Sequence, residues 1–374
     1  METLRRIEAQ VDLDAIRHNY HAIRAFSGGA RMICVIKADA YGHGAVRVGK
    51  LLEELGADIL AVACIDEALE LRRADVRAPI MILGATPVTL AGMLSENDII
   101  QSVHSLEYAK ELDCALGELG KKLKVHIKLD TGMSRFGINA HKGNTMSAAD
   151  DAEQIVKLPH LFADGIFTHF AEAESEDTTF TDEQFECFSD VTKKLGERGI
   201  TFNFCHCANS AAVVNYKKAH LDCVRPGLLL YGYSPAETAD IGLKPALTLK
   251  SLIADVHKIS AGDSVSYNRT FSAEREMTIA VILCGYADGL PRSLSNKGYF
   301  LINGKRAPIL GNVCMDLTLV DVSDIDDVRP FDEAVIFGVS DGVTLSPETL
   351  SEIAGTIPYE LLTSVSKRVP RTYR

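Results

Sequence analysis

Met32-Ile33-Cys34-Val35-Ile36-Lys37-Ala38-Asp39-Ala40-Tyr41-Gly42-His43-Gly44 reads as a buried strand that ends on a reactive side chain. Residues 32–36 are an unbroken apolar run rich in β-branched types, the texture of a parallel strand covered on both faces. Lys37 follows at once. A buried ammonium is costly unless it is neutralised or paired. Desolvation favours the free amine, the form that a Schiff-base lysine requires. The competing reading is a lysine that snorkels from a strand end into water. Tyr41-Gly42-His43-Gly44 predicts a tight turn where backbone approaches a ligand.

The same texture repeats outward from this stretch. Strand-like runs recur at 59–63, 79–83, 98–102, 123–129, 161–167, 202–207 and 221–225, with amphipathic helical stretches at 45–56, 65–73, 105–118, 148–157 and 182–198 between them. Eight strand–helix units predict an α/β fold with an N-terminal (β/α)8 TIM-type barrel. A doubly wound open sheet is the rival, and the lack of a Gly-rich dinucleotide fingerprint counts against it. After about residue 246 short strands follow one another at 247–259, 264–266, 277–283, 299–302, 306–310, 313–321 and 332–338. Asn303-Gly304 and Asp341-Gly342 are hairpin signals, and Ser346-Pro347-Glu348 opens a helix near 346–354. The expected organisation is a barrel over 1–246 and a C-terminal mostly β domain over 247–374. Residues 7–13 read as a strand preceding the barrel that pairs with the β domain.

Composition narrows the function. The chain has 374 residues and a formal net charge of 39 − 51 = −12, which argues against nucleic acid or an anionic membrane surface as a partner. No apolar run approaches a membrane span, and residues 1–8 lack the apolar core of a signal peptide. The nine cysteines show no disulfide or zinc spacing, as in a reducing compartment. A cytoplasmic, soluble protein is expected.

Chemistry-bearing residues fall at the C-terminal ends of the barrel strands, where barrel active sites lie. Lys37 and Tyr41 follow the first strand, Lys128 to Arg135 the fifth, Thr168-His169-Phe170 the sixth, His206 to Ser210 the seventh and Arg225-Pro226-Gly227 the eighth. Each alone has a plain reading: a hydrogen-bonded structural histidine at 169, an ion-pair arginine at 225, a helix-capping serine at 210. The loops after strands seven and eight suit a phosphate. A reactive lysine beside a phosphate grip, with no metal-ligand cluster, points to pyridoxal phosphate.

At this point the chain resembles the bacterial alanine racemases over essentially its full length. The resemblance is carried by Val35 to Gly44, Asp130-Thr131-Gly132-Met133-Ser134-Arg135-Phe136-Gly137, His206 to Ala212, Val224-Arg225-Pro226-Gly227, Val265-Ser266-Tyr267, Gly285-Tyr286-Ala287-Asp288-Gly289, Cys314-Met315-Asp316 and Ile357-Pro358-Tyr359-Glu360. It implies a fold-type III pyridoxal 5′-phosphate isomerase that supplies D-alanine for peptidoglycan as a homodimer with shared sites. Lys37 would hold the cofactor and act as base on the D-face. Tyr267 would be the opposite base, from the second subunit. Arg225 would face the pyridine nitrogen, with His169 next to it. Tyr41, Asn209, Ser210 and Tyr359, with backbone at Gly227 and Leu228, would hold the cofactor's phosphate end. Arg135 and Met315 would bind the substrate carboxylate, and Asp316 and Tyr286 would shape the entrance. Lys128 matches the position of a carbamylated lysine.

Asn268 stands after Tyr267 where the family usually has glycine. Asparagine tolerates positive φ, so the turn is expected to survive. Three rival activities share parts of this pattern: a serine or broad-specificity racemase, a barrel-type amino-acid decarboxylase, and a non-catalytic pyridoxal-phosphate carrier.

Overall fold

The computed structural model describes residues 5–235 and 240–374. These fall into two units. One comprises Ala15–Ala40 and Ala45–Lys244; the other comprises the residues up to Asp14, Tyr41–Gly44 and Pro245–Arg374.

The first unit is a nearly closed barrel of eight parallel strands: Arg31–Val35, Ile59–Val62, Ile80–Ile82, Ile99–Val103, Leu123–Asp130, Leu161–Phe167, Phe204–His206 and Cys223–Val224. Neighbours pair in chain order, and the eighth strand pairs back onto the first through Cys223 with Arg31 and Val224 with Met32. Four strands show why the run-of-apolars reading works. Residues 32–35, 59–62, 80–82 and 99–103 are buried throughout, because barrel strands meet side chains inside and helices outside.

The strands at 202–207 and 221–225 are shorter than expected, with ladders only at 204–206 and 223–224. Beyond them the backbone bonds to its neighbours one group at a time, as in Arg225 N–H to the Ala208 carbonyl at 2.8 Å. That irregular backbone is where side chains are aimed inward.

The second unit is built on one long strand, Leu247–Ile259. It pairs antiparallel with Ile7–Val11, Met277–Ile282 and Glu333–Ser340. The strand Arg371–Tyr373 lies parallel to residues 9–11 on the other side. Both hairpin signals form hairpins: Asn303-Gly304 and Asp341-Gly342 have positive φ at all four residues, as a type I′ turn requires. Ser346 caps the helix Pro347–Ala354 through its bond from Thr349 N–H.

Two expectations need correction. The expected strand over 7–13 stops at Val11, and Leu13 opens a helix, Leu13–Phe26. Ile16, Asn19, Tyr20 and Ile23 are its buried face, a 3.6-residue period. The expected strand over 313–321 exists only as Thr318–Asp321. Cys314–Leu317 closes instead into a turn through Cys314 N–H and the Leu317 carbonyl at 3.0 Å.

Candidate functional site

Lys37 leaves its strand on an unusual backbone. Ala38, Asp39, Ala40 and Tyr41 all lie in the left-handed region, with φ of 52°, 54°, 53° and 53°. Such a conformation costs an L-residue roughly 1–2 kcal/mol, and it persists only where the surroundings over-determine it. Glu67 supplies part of that. One carboxylate oxygen accepts from Ala38 N–H at 2.7 Å and the other from Ala63 N–H at 2.7 Å. Asp39 accepts from Ala45 N–H at 2.8 Å. Partial burial and then the nearby Arg135 guanidinium lower the Lys37 pKa, against a smaller pull upward from Glu67. The amine is thus biased toward its nucleophilic form.

The turn's glycines have a cause within the chain itself. A Cβ at Gly42 would run into the Leu362 carbonyl oxygen, and one at Gly44 into the Tyr373 hydroxyl. Both glycines make room for the protein's own chain.

At the other strand ends a buried guanidinium organises the barrel interior. Arg225 is 3 % exposed. It donates through Nη2 to His169 Nδ1 (2.9 Å), the Thr168 carbonyl (2.9 Å) and the Cys207 carbonyl (3.2 Å), and through Nη1 to His206 Nδ1 (3.0 Å). His206 Nε2 in turn lies 2.9 Å from His126 Nδ1. Burial and the Arg225 charge hold all three imidazoles below their ordinary pKa, His126 at about 3. They are therefore neutral, and the arginine assigns their tautomers. Arg225 offers only N–H groups, so His169 and His206 accept at Nδ1 and carry the proton on Nε2. His206 then donates to His126. Burial also lowers Arg225 itself, to about 10. A fully charged group with only neutral partners fits a site that receives an acceptor from outside the chain.

The loops after the seventh and eighth strands are fastened to each other: Gly227 N–H donates to Ser210 Oγ at 2.9 Å. Ser210 opens the short helix Ser210–Asn215, and Leu228 opens the 3-10 turn Leu228–Tyr231. The Ser210 hydroxyl keeps its own proton for a further acceptor. Asn209 precedes that helix as its N-cap. Its Oδ1 caps the helix, accepting from Ala212 N–H at 2.9 Å.

Lys128 is 4 % exposed, and its Nζ sits 3.7 Å from the centre of the Phe136 ring. Desolvation, Arg135 and Arg225 push its pKa down to about 7. Lys37, Lys128, Arg135, His169, Ser210, Arg225, Gly227 and Leu228 are thus all barrel residues.

The remaining expected residues belong to the other unit. Tyr41 and Tyr359 place their rings 5.9 Å apart, and burial raises the Tyr41 pKa. The Gly285-Tyr286 turn packs on the Cys314–Met315 backbone: Tyr286 N–H donates to the Cys314 carbonyl and Ala287 N–H to the Met315 carbonyl, each at 3.0 Å. Asp316 accepts from Arg368 Nη2 at 2.7 Å. Arg368 also pairs with Asp288, which is fully buried and held on its other side by Arg6. Tyr267 is 69 % exposed, Met315 52 % and Tyr286 44 %.

Two participants escaped the sequence reading. His126 had a visible signal, a histidine inside the buried run Leu123–Asp130. Glu67 had none, because its role depends on two backbone amides brought together by folding. Among the described residues no group of three or more acidic, cysteine or histidine side chains forms a metal site. Among them too, no helix is long and apolar enough to cross a membrane.

A barrel with Lys37, Lys128, Arg135 and Arg225 gathered toward its strand ends, followed by a mostly β unit, is the layout of one class of amino-acid enzymes. Two family models match in that order: "Alanine racemase, N-terminal domain" over residues 11–235 and "Alanine racemase, C-terminal domain" over 246–373. Alanine racemase 2 of Caldanaerobacter subterraneus subsp. tengcongensis is 41% identical over 375 residues, covering 100% of this chain and 96% of that protein. The solved alanine racemase of Clostridium difficile 630 is 34% identical with a TM-score of 0.94, covering 100% of this chain and 97% of the other. That of Bartonella henselae, described with covalently bound pyridoxal phosphate, is 29% identical with a TM-score of 0.88 over 99% of this chain and 100% of the other. The chain belongs to the alanine racemase family, isomerases that interconvert the enantiomers of alanine.

Proposed function

We propose that this protein interconverts L- and D-alanine with pyridoxal 5′-phosphate carried on Lys37, using Lys37 and Tyr267 as bases on opposite faces of the α-carbon. The observation that carries the reading is the pairing of a desolvated, pKa-lowered Lys37 with a buried Arg225 whose partners are all neutral. The residues suit the cofactor. Lys37 supplies the amine. Ser210 with the backbone at Gly227 and Leu228 suits a phosphate, and the family resemblance adds the Tyr41 and Tyr359 phenols as further hydroxyls for it. Arg225 suits a pyridine nitrogen.

When bound, the cofactor withdraws electrons from the α-carbon and acidifies its proton. The chain's own residues do the rest. Arg225 presents only N–H donors, so it favours an unprotonated ring nitrogen and tempers carbanion character. His169, fixed by Arg225 as the Nε2–H tautomer, offers that proton away from the guanidinium. Arg135 and the Met315 N–H bind the carboxylate, with Tyr286 and Asp316 at the entrance. A carbamylated Lys128 would place a negative charge beside Arg135. The high exposure of Tyr267, Tyr286 and Met315 in one chain supports their use by a second copy, which makes the enzyme a two-fold dimer. D-alanine supply for peptidoglycan in the cytoplasm is the corresponding role.

The test is proton NMR of L-alanine, and in parallel L-serine, in deuterated water with purified protein and pyridoxal phosphate, followed by chiral analysis. The expected result is loss of the α-proton signal with formation of D-alanine, faster than for serine. Retention of the α-proton in both amino acids, despite bound cofactor, refutes the proposal.

A further inference from the structure

Tyr267 sits in a turn whose backbone Ser266 and Arg269 do not favour. Ser266, Asn268 and Arg269 all have positive φ, at 64°, 62° and 52°, and none is glycine. The two-residue strands Ser264–Val265 and Phe271–Ser272 pair beneath the turn. Within the single chain the phenol ring is mostly exposed, and little of the chain packs against it. Its aim is therefore set by the backbone, and the backbone is held by residues 311–314.

Asn312 makes the central contact. Its side chain is buried, and Nδ2 donates to the Tyr267 carbonyl at 2.7 Å. Its own carbonyl accepts from Ser266 Oγ at 2.5 Å, and the same hydroxyl lies 3.3 Å from Cys314 Sγ. Gly311 lets the two segments close up: a Cβ there would stand 2.6 Å from the Val265 carbonyl oxygen and 2.8 Å from Ser266 Cβ. Asn296 extends the clamp, accepting from Gly311 N–H at 2.6 Å while donating to Thr270 Oγ1 at 3.1 Å.

We propose that Asn312 is a positioning residue for racemisation. It fixes the peptide plane after Tyr267 and so the direction of the phenol. The proposal rests on the reading of Tyr267 as the L-face base. Without the Asn312 contact, the positive-φ residues relax toward ordinary basins and the Cα–Cβ direction of Tyr267 swings. Proton transfer needs its base within hydrogen-bond reach, and a misplacement of about 1 Å costs up to roughly a hundredfold in rate.

The experiment compares Asn312→Ala, Ser266→Ala and Tyr267→Phe as holoenzymes. Initial rates of α-proton exchange in deuterated water are measured separately for L-alanine and D-alanine. Amide hydrogen exchange of the peptide spanning 264–272 is followed by mass spectrometry. Asn312→Ala is expected to slow L-alanine exchange by about tenfold or more while D-alanine exchange stays within about twofold of wild type. The 264–272 peptide should lose protection as barrel peptides keep theirs. A general structural role would slow both enantiomers alike, and that result overturns the proposal, as does an unchanged ratio. Should Asn312→Ala not accumulate as folded protein, Ser266→Ala, which opens the other end of the same clamp, decides in the same way. Tyr267→Phe separates the two layers of reasoning. If it shows no asymmetry between enantiomers, the role of Tyr267 falls and this proposal with it. If it is asymmetric and the clamp variants are not, the positioning role alone is refuted.

Discussion

Replacing Lys128 by methionine should make the apoprotein more stable, and more so at lower pH. The side chain is 4 % exposed, with desolvation, Arg135 and Arg225 together pushing its pKa to about 7. A lysine in the unfolded chain titrates near 10.4. The gap of about 3.4 units corresponds to roughly 5 kcal/mol in gross terms. Two effects reduce it. The Phe136 ring lies 3.7 Å from the ammonium, and a cation–π contact returns about 1–2 kcal/mol. Solvent reaching the site screens part of the remainder. A net penalty of about 2–4 kcal/mol is left.

The sign follows from proton counting. Between about pH 7 and 10.4 the unfolded state binds the extra proton, so stability rises with pH across that window. The penalty is complete below about pH 7 and gone above about 10.4. Lys128→Met keeps the volume and removes the titration. Urea unfolding followed by circular dichroism, in carbon-dioxide-free buffers from about pH 6 to about pH 10, should show the variant ahead by about 2–4 kcal/mol at the acid end and the two converging at the alkaline end. A difference that does not change with pH refutes the electrostatic account. Added bicarbonate provides an internal check. If Lys128 is carbamylated, wild type should gain stability with bicarbonate and lose the pH window, and the methionine variant should do neither.

Other consequences are equally direct. Gly42→Ala places a Cβ against the Leu362 carbonyl at a φ of +83° and should cost about 2–3 kcal/mol; an unshifted thermal melt would contradict the stated reason for that glycine. Asp288→Asn leaves the Arg6 and Arg368 guanidiniums around a buried position without their charge partner. The two arginines are partly exposed and can rehydrate, so the loss should be about 2 kcal/mol rather than the 3–5 typical of a fully buried pair; a stability loss under about 0.5 kcal/mol in urea titration would reject it. Arg225→Glu should divert alanine toward transamination. Pyruvate release per turnover no higher than wild type would defeat the view that Arg225 tempers carbanion character.

Much of the fold was legible because it rests on periodicity. A strand covered on both faces must be apolar along its length, so Met32–Val35 and Ile59–Val62 announce themselves. Asn303-Gly304 does so through the positive φ that its turn demands. The short seventh and eighth strands and the Cys314–Leu317 turn were not legible, since their backbone bonds go to groups distant in sequence. The helix Leu13–Phe26 carries a readable 3.6-residue period, but it follows directly on the alternating pattern of the strand before it, so the boundary between them is not marked.

The division is similar for the chemistry. By itself the amino-acid order decided which residue types stand at the strand ends: a lysine after the first strand, a histidine after the sixth, an arginine after the eighth. Only the tertiary structure decided their states. Burial lowers the Lys37 and Lys128 pKa values and keeps His126, His169 and His206 neutral. Arg225 then selects the tautomers, and Asn312 and Glu67 hold turns that the local sequence would not adopt. A residue's identity is a property of the chain, whereas desolvation, proximity of charge and the satisfaction of distant backbone amides exist only once the chain has folded.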